Sequence, residues 1–128
     1  MRTRRERGFT LVELMVVIVI LGALIAIVGP NVWRALFQSN INIAKTQMYN
    51  FSQAIDQYKM DKKKLPSTLE DLTQTSDQNP HPYLDKVPKD PWDREYEYKV
   101  IGSDKFEIRS RGEKEADDSD DLVYPERD

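Results

Sequence analysis

The chain has no cysteine, a single histidine (His81) and only five glycines in 128 residues. The absence of cysteine excludes disulfides, thiolate metal sites and thiol nucleophiles, but it does not identify the compartment, because periplasmic proteins can also lack cysteine. His81 lies between two prolines, which predicts a surface loop, and there is no second histidine to complete a zinc site. No glycine-rich loop is present that could cradle a phosphate. These absences predict a protein that is not an enzyme.

The net charge of −3 is distributed unevenly along the chain. Residues 1–8 contain four arginines and one glutamate, whereas residues 113–128 contain eight acidic side chains against one lysine and one arginine. A basic N-terminus beside an apolar run stays in the cytoplasm, so we expect the C-terminal part on the far side of a membrane. No basic footprint for nucleic acid is present.

The apolar run begins just after Glu13 and extends to Gly29. The segment from Phe9 to Gly29 would measure about 31 Å as a helix, which is enough to cross a hydrocarbon core. A carboxylate inside such a segment costs about 2.5 kcal/mol or more at its centre, so Glu13 needs a partner. The small-residue junction, Gly8-Phe9, precedes the run, whereas a secretory signal is cut after it. Cleavage there would keep the anchor and create an α-amino group on Phe9; the alternative is an unprocessed single-pass anchor.

The string Arg-Gly-Phe-Thr-Leu-Val-Glu-Leu, followed by an apolar helix with Pro30, resembles the leader and N-terminal helix of type IV pilins and pseudopilins. The resemblance implies cleavage after Gly8 by a prepilin peptidase and N-methylation of Phe9. It also implies that Glu13 takes part in packing subunits into a helical filament.

Beyond Pro30, apolar residues recur at spacings of three and four, which predicts a stripe along one helix face. The stripe comprises Trp33, Phe37, Ile41, Ala44, Met48, Phe51, Ile55 and Tyr58. We expect one helix from about Phe9 to Met60, with a transmembrane half and an amphipathic half, bent or locally opened near Ala26 by the proline. The stripe is expected to pack on the protein's own sheet, and a coiled-coil dimer is the alternative.

The second half of the chain combines a proline-rich connector with two strands. Capping-box spacing at Ser67 predicts a short helix over residues 68–74. The expected anchors of the connector are Tyr83, Leu84, Val87 and Trp92. Alternating residues predict strands around Tyr96–Val100 and Phe106–Ile108, joined by a hairpin at residues 102–104. Because two strands alone are marginal, they must pack on the helix or pair with a third strand. The fold class predicted is therefore α+β.

Four further strings resemble the major pseudopilins of type II secretion systems. They are Lys-Leu-Pro-Ser from Lys64, Asp-Pro-Trp from Asp90, Ser-Arg-Gly from Ser110, and Asp-Asp-Leu from Asp120. The resemblance implies a pilin-like fold: a cleaved leader (1–8), a transmembrane half-helix (9–29) and a periplasmic domain (30–128) anchored in the bacterial inner membrane. The implied partners are other copies of the chain in a helical homopolymer, minor pseudopilins, an inner-membrane assembly platform, the membrane and the prepilin peptidase. The alternatives are a type IV pilus subunit, a minor pseudopilin, or a single-pass anchor that presents a calcium-binding recognition module.

The acidic run near the C-terminus is the candidate ligand site. Asp117, Asp118, Asp120 and Asp121 supply the carboxylates that calcium prefers, although spacing alone favours a solvated acidic tail and the EF-hand pattern is absent. The resemblance implies calcium as a cofactor, bound by the Asp120-Asp121 pair and by backbone carbonyls near Arg111. Two positions depart from the family pattern. Asp93 replaces a usual glycine, and Glu113-Lys114-Glu115-Ala116 replaces an Asp-Gly pair and a glycine-rich segment.

Overall fold

The computed structural model describes residues 7–114 and 116–125. Along the chain it contains helix α1 (Leu11–Lys62), a 3-10 turn (Leu69–Thr73), strand β1 (Glu97–Val100), strand β2 (Phe106–Ser110), a second 3-10 turn (Asp118–Asp120) and strand β3 (Leu122–Tyr124). The α+β class is confirmed. The chain divides into two compact units, with the boundary between Phe37 and Gln38.

The first unit is the N-terminal part of α1. Its side chains are exposed from Leu11 to Phe37, and this part of the helix is long and apolar enough to cross a membrane. The helix continues through Pro30 without a break. The predicted helix limits, Phe9 and Met60, lie within two residues of the observed ones.

The core of the second unit lies between the later part of α1 and the sheet. The buried stripe residues of α1 are Ala44, Met48, Phe51 and Ile55, and Tyr58 packs against them. Leu69, Leu72, Tyr96 and Ile108 complete the buried cluster. The predicted stripe is therefore confirmed in its second half. Its first two members, Trp33 and Phe37, lie in the other unit and are exposed.

The sheet has three antiparallel strands in chain order, β1-β2-β3. Tyr98 pairs with Ile108 in the β1–β2 hairpin, and Ser110 pairs with Leu122 in the β2–β3 pair. The predicted hairpin is confirmed, and β3 is the third strand that it required. The first strand begins at Glu97, so Tyr96 precedes it and packs in the core, with its ring 5.0 Å from that of Phe51.

The connector is held to the core by three of its four predicted anchors: Tyr83, Leu84 and Val87. The fourth, Trp92, is half-buried and is not among the residues packed against the core, so the prediction that it anchors the connector is wrong. The predicted cap is also displaced by one residue. The carboxylate of Asp71 accepts hydrogen bonds from the backbone amides of Ser67 and Thr68, at 2.9 and 3.0 Å, so Asp71 rather than Glu70 closes this turn. His81 is exposed in its loop, as predicted.

Candidate functional site

The predicted processing site is freely accessible. Gly8 and Phe9 precede the helix and are exposed, and Phe9 retains 83 % of its accessible surface. A Cβ atom added to Gly8 would meet no heavy atom within 4 Å. No contact within the described chain requires a glycine at this position.

Glu13 forms a reciprocal cap with Thr10 at the start of α1. The Thr10 backbone amide donates to Glu13 Oε2 at 3.4 Å, and the Glu13 amide donates to Thr10 Oγ1 at 3.2 Å. This pair of hydrogen bonds is a capping box, and the Thr-x-x-Glu spacing in the sequence is the signal that could have predicted it. The carboxylate is thus held beside the positive end of the helix dipole, where a negative charge is favoured.

Two of the four candidate calcium ligands, Asp120 and Asp121, have buried carboxylate oxygens next to the start of β3. Asp120 Oδ2 accepts from the backbone amides of Glu113 and Lys114, at 2.9 and 3.0 Å. Asp120 Oδ1 and both carboxylate oxygens of Asp121 are buried and accept no hydrogen bond. Buried carboxylate oxygens without donors are costly unless a cation neutralises them, so this pair has the chemistry of a cation site.

The other two aspartates are engaged elsewhere and are exposed. Asp117 Oδ1 accepts the Ser119 amide at 3.0 Å, and this backbone hydrogen bond lowers the pKa of Asp117. Asp118 Oδ1 lies 3.7 Å from the Arg111 guanidinium. Across residues 7–114 and 116–125, no group of three or more histidine or acidic side chains is placed to hold a metal ion. A calcium ion here would take its carboxylates from Asp120 and Asp121 and its other oxygens from backbone carbonyls or water.

Gly112 is the residue that lets the loop close on Asp120. It has a positive φ of 66°, and an added Cβ would lie 2.5 Å from the backbone oxygen of Asp120. Both facts favour glycine, because other residues rarely adopt this φ and no side chain fits in the space. In the sequence the Ser-Arg-Gly string was only a family marker, and the structure shows that its glycine has this steric role.

A buried polar cluster connects the loop to the Asp-Pro-Trp turn. Asp90 Oδ1 accepts the backbone amides of Trp92 and Arg94, at 3.1 and 2.8 Å, and Asp90 Oδ2 accepts the Ser110 hydroxyl at 2.8 Å. The Arg94 guanidinium donates to the backbone carbonyls of Gly112, at 2.8 Å, and of residue 113, at 3.1 Å. The roles of Arg94 and Ser110 were missed, because no local pattern links them to the loop.

Arg109 in β2 and Arg111, which follows the strand, both lie beside the acidic run. Arg109 lies 3.5 Å from a carboxylate oxygen of Glu107 and 3.5 Å from Asp121 Oδ2. Arg111 donates to Glu97 at 2.8 Å, and this hydrogen bond raises the pKa of the Arg111 guanidinium. In the sequence, Arg111 was a candidate only for its backbone carbonyl, and no local pattern pointed to the ion pairs of either guanidinium.

Comparisons with known proteins agree with these features. The family model described as Type II secretion system (T2SS), protein G matches residues 31–123, and that of the prokaryotic N-terminal methylation motif matches residues 3–29. A protein named Type II secretion system core protein G from Pseudomonas aeruginosa is 37 % identical over 134 aligned residues, covering 94 % of each chain. Proteins of the same name from Dickeya chrysanthemi and Vibrio cholerae are 35 % and 38 % identical, covering 94 % and 76 % of this chain and 86 % and 73 % of their own. The chain belongs to the protein G family of the type II secretion system, the family of its major pseudopilins.

Proposed function

We propose that this chain is a pseudopilus subunit that is cut between Gly8 and Phe9, methylated at Phe9 and assembled into a helical periplasmic filament. Growth of that filament would push secreted proteins through the outer membrane. The observation that carries the proposal is the N-terminal arrangement. A basic leader and an accessible Gly-Phe junction precede an exposed apolar helix, in a chain of the protein G family.

Membrane storage of the subunit follows from the first unit of the chain. Its exposed apolar side chains have no partner inside the described chain. The hydrocarbon core of a bilayer would cover them, because the segment from Phe9 to Gly29 measures about 31 Å as a helix. The arginine-rich leader favours a cytoplasmic N-terminus, so we propose that the apolar half-helix (9–29) lies in the inner membrane and the second unit in the periplasm. Head-to-tail contacts between identical subunits that do not close into a ring generate a helical filament.

Glu13 is proposed to act in assembly. In this chain its carboxylate is capped by Thr10, and both of those hydrogen bonds are long, at 3.2 and 3.4 Å. After cleavage, the new α-amino group of Phe9, on the same or a neighbouring subunit, offers a charged partner. A charged pair offsets the cost of burying both ions between packed helices, which a backbone amide alone does not achieve.

Intact-mass measurement of the protein purified from its native membrane tests processing and methylation together. We expect the mass of a chain that begins at Phe9, increased by one methyl group. Gly8→Leu should leave the leader attached, because the side chain would crowd the peptidase cleft. Gly22→Leu is the matched control, since a Cβ at Gly22 also meets nothing within 4 Å, and it should be cut normally. A wild-type chain that still begins at Met1 would contradict the proposal.

The partners proposed for the filament are further copies of this chain, minor pseudopilins, the inner-membrane assembly platform and the prepilin peptidase. A purely structural role, without catalysis, agrees with the family and with the limited chemistry of the sequence. A long surface fibre built from this chain would favour the type IV pilus alternative. An uncut N-terminus would favour a membrane-anchored recognition module.

Calcium is the proposed ligand of Asp120 and Asp121. The support is their three buried carboxylate oxygens, which accept no hydrogen bond. Bound calcium at a hundredfold excess over its Kd should stabilise the fold by about 2.7 kcal/mol. Thermal melts with calcium and with chelator should show this gain in the wild type and in Asp117→Ala, but not in Asp120→Ala or Asp121→Ala. Identical melts in calcium and chelator would mean that Asp120 and Asp121 hold no calcium.

A further inference from the structure

Asp121 is a buried carboxylate with an incomplete set of partners. Its side chain keeps only 7 % of its accessible surface, and neither of its oxygens accepts a hydrogen bond. The Arg109 guanidinium is 3.5 Å from Oδ2, which is an ion-pair distance but longer than a hydrogen bond. A buried carboxylate is strongly disfavoured without a counter-charge. Arg109 supplies that charge without occupying the lone pairs of the carboxylate.

Arg109 is fixed in this position by the sheet. It lies in the central strand β2, opposite Glu97 in β1 and Val123 in β3. Its side chain keeps 29 % of its accessible surface and also lies 3.5 Å from Glu107. The guanidinium therefore lies between two carboxylates, and it could keep one of them if it lost the other. Asp121 immediately precedes β3, so pairing of β2 with β3 brings the arginine and the aspartate together.

We propose that Arg109 is an internal counter-ion that competes with calcium for the carboxylate of Asp121. Without the metal, the arginine neutralises Asp121 and keeps the end of the loop on the sheet. When calcium binds Asp120 and Asp121, the ion takes over this neutralisation and Arg109 keeps its pair with Glu107. Calcium binding must then overcome the Arg109–Asp121 attraction and the repulsion between the ion and the guanidinium, so the arginine lowers the affinity of the site. This inference rests on the calcium site of the proposed function.

The test is a calorimetric titration of calcium chloride into the full-length chain in detergent micelles. Arg109→Gln should bind calcium about tenfold more tightly than the wild type, because a close positive charge and a competitor are both removed. Lys99→Gln is the matched control. It removes one positive charge from the same face of the sheet, because Lys99 in β1 is paired with Glu107 just as Glu97 is paired with Arg109, but it lies outside the proposed calcium site. Its affinity should stay within about twofold of the wild type, since exposed charges are screened.

Thermal melts of the same samples provide a second measurement. In chelator, Arg109→Gln should melt at a lower temperature than Lys99→Gln, because it leaves a buried carboxylate without its counter-charge. Calcium should remove that difference. If Arg109→Gln does not fold, Arg109→Lys takes its place. The lysine keeps the charge but loses the planar fork that reaches both carboxylates, so an intermediate gain in affinity is expected.

The possible outcomes separate this inference from the proposed function. Calcium binding by Arg109→Gln but not by the wild type would support the competition and show that the arginine blocks the native site. Equal affinities in the wild type and both variants would keep the calcium site and overturn the role of Arg109. Weaker binding in Arg109→Gln would overturn it as well, because the arginine would then assist the metal. The absence of binding heat in all three proteins at millimolar calcium would refute both the site and the inference.

Discussion

Replacing Asp90 by alanine should be among the most destabilising single changes in the second unit. The residue is 4 % exposed and accepts three hydrogen bonds, from the amides of Trp92 and Arg94 and from the hydroxyl of Ser110. A buried donor that loses its partner costs about 1–3 kcal/mol. The two amides are only partly buried, so each should cost about 1 kcal/mol, and the fully buried hydroxyl should cost about 2 kcal/mol. The total cost of the lost hydrogen bonds is about 4 kcal/mol. The avoided burial of a charge offsets part of this, so we expect a net loss of about 3 kcal/mol.

Urea unfolding of the full-length chain in detergent micelles, followed by tryptophan fluorescence, measures this loss. Ser110→Ala removes one of the three bonds and should cost about 1–2 kcal/mol. The double variant of Asp90 and Ser110 should be no less stable than Asp90→Ala alone, because the hydroxyl has lost its acceptor already. A loss below about 1 kcal/mol in Asp90→Ala, or strict additivity in the double variant, would refute the reasoning.

Three other predictions concern the helix start, the loop and the core. Glu13→Val should insert into the membrane at least as well as the wild type but yield few filaments, and a wild-type filament yield in pull-down of cross-linked subunits would remove the proposed role. Gly112→Ala should lower stability by more than about 1 kcal/mol in denaturation experiments and abolish the calcium gain, because the positive φ is unfavourable for alanine and the Cβ displaces Asp120. Burial raises the pKa of Tyr98 from 10.0 to about 12. The folded state therefore keeps a proton that the unfolded chain releases, and stability should be full below about pH 10 and fall towards about pH 12. Denaturation curves across that range should fall less steeply for Tyr98→Phe.

Periodicity was enough to predict the helix and the hairpin. Apolar residues spaced by three and four mark the buried face of a helix, and a spacing of two marks the buried face of a strand. The stripe failed at Trp33 and Phe37 for a physical reason. Their spacing continues the stripe. The later members are buried because they pack against Leu69, Leu72, Tyr96 and Ile108, which all belong to the second unit. Periodicity tells which face is apolar and does not tell where the covering sheet ends. The prediction for Trp92 failed for a similar reason, because a large aromatic residue beside a turn can be half-buried at the edge of the core.

The candidate site was predictable as a segment but not atom by atom. Four aspartates within five residues have the same chemistry, and only the local backbone decides which of them turn inward. Here the 3-10 turn at Asp118–Asp120 leaves Asp117 and Asp118 outside and directs Asp120 towards the amides after Gly112. At Asp93, in contrast, the residue type changed but the backbone conformation could be predicted. Asp93 stands where the family resemblance implies a glycine, and its φ is 64°, a conformation that glycine adopts freely and that aspartate tolerates.

The order of the strands has a consequence for how the second unit folds. The strands pair in the order in which they occur in the chain, so each pairing is between neighbours and closes only a short loop. Such hairpins form within about 1–10 μs, and low separation between contacting residues generally favours fast folding. Because the connector separates the helix from β1, docking of this sheet onto Met48, Phe51 and Ile55 closes a longer loop, and we expect it to be the slower step. A chain crossing a membrane delivers the helix first, so the sheet would meet a docking surface that is already in place.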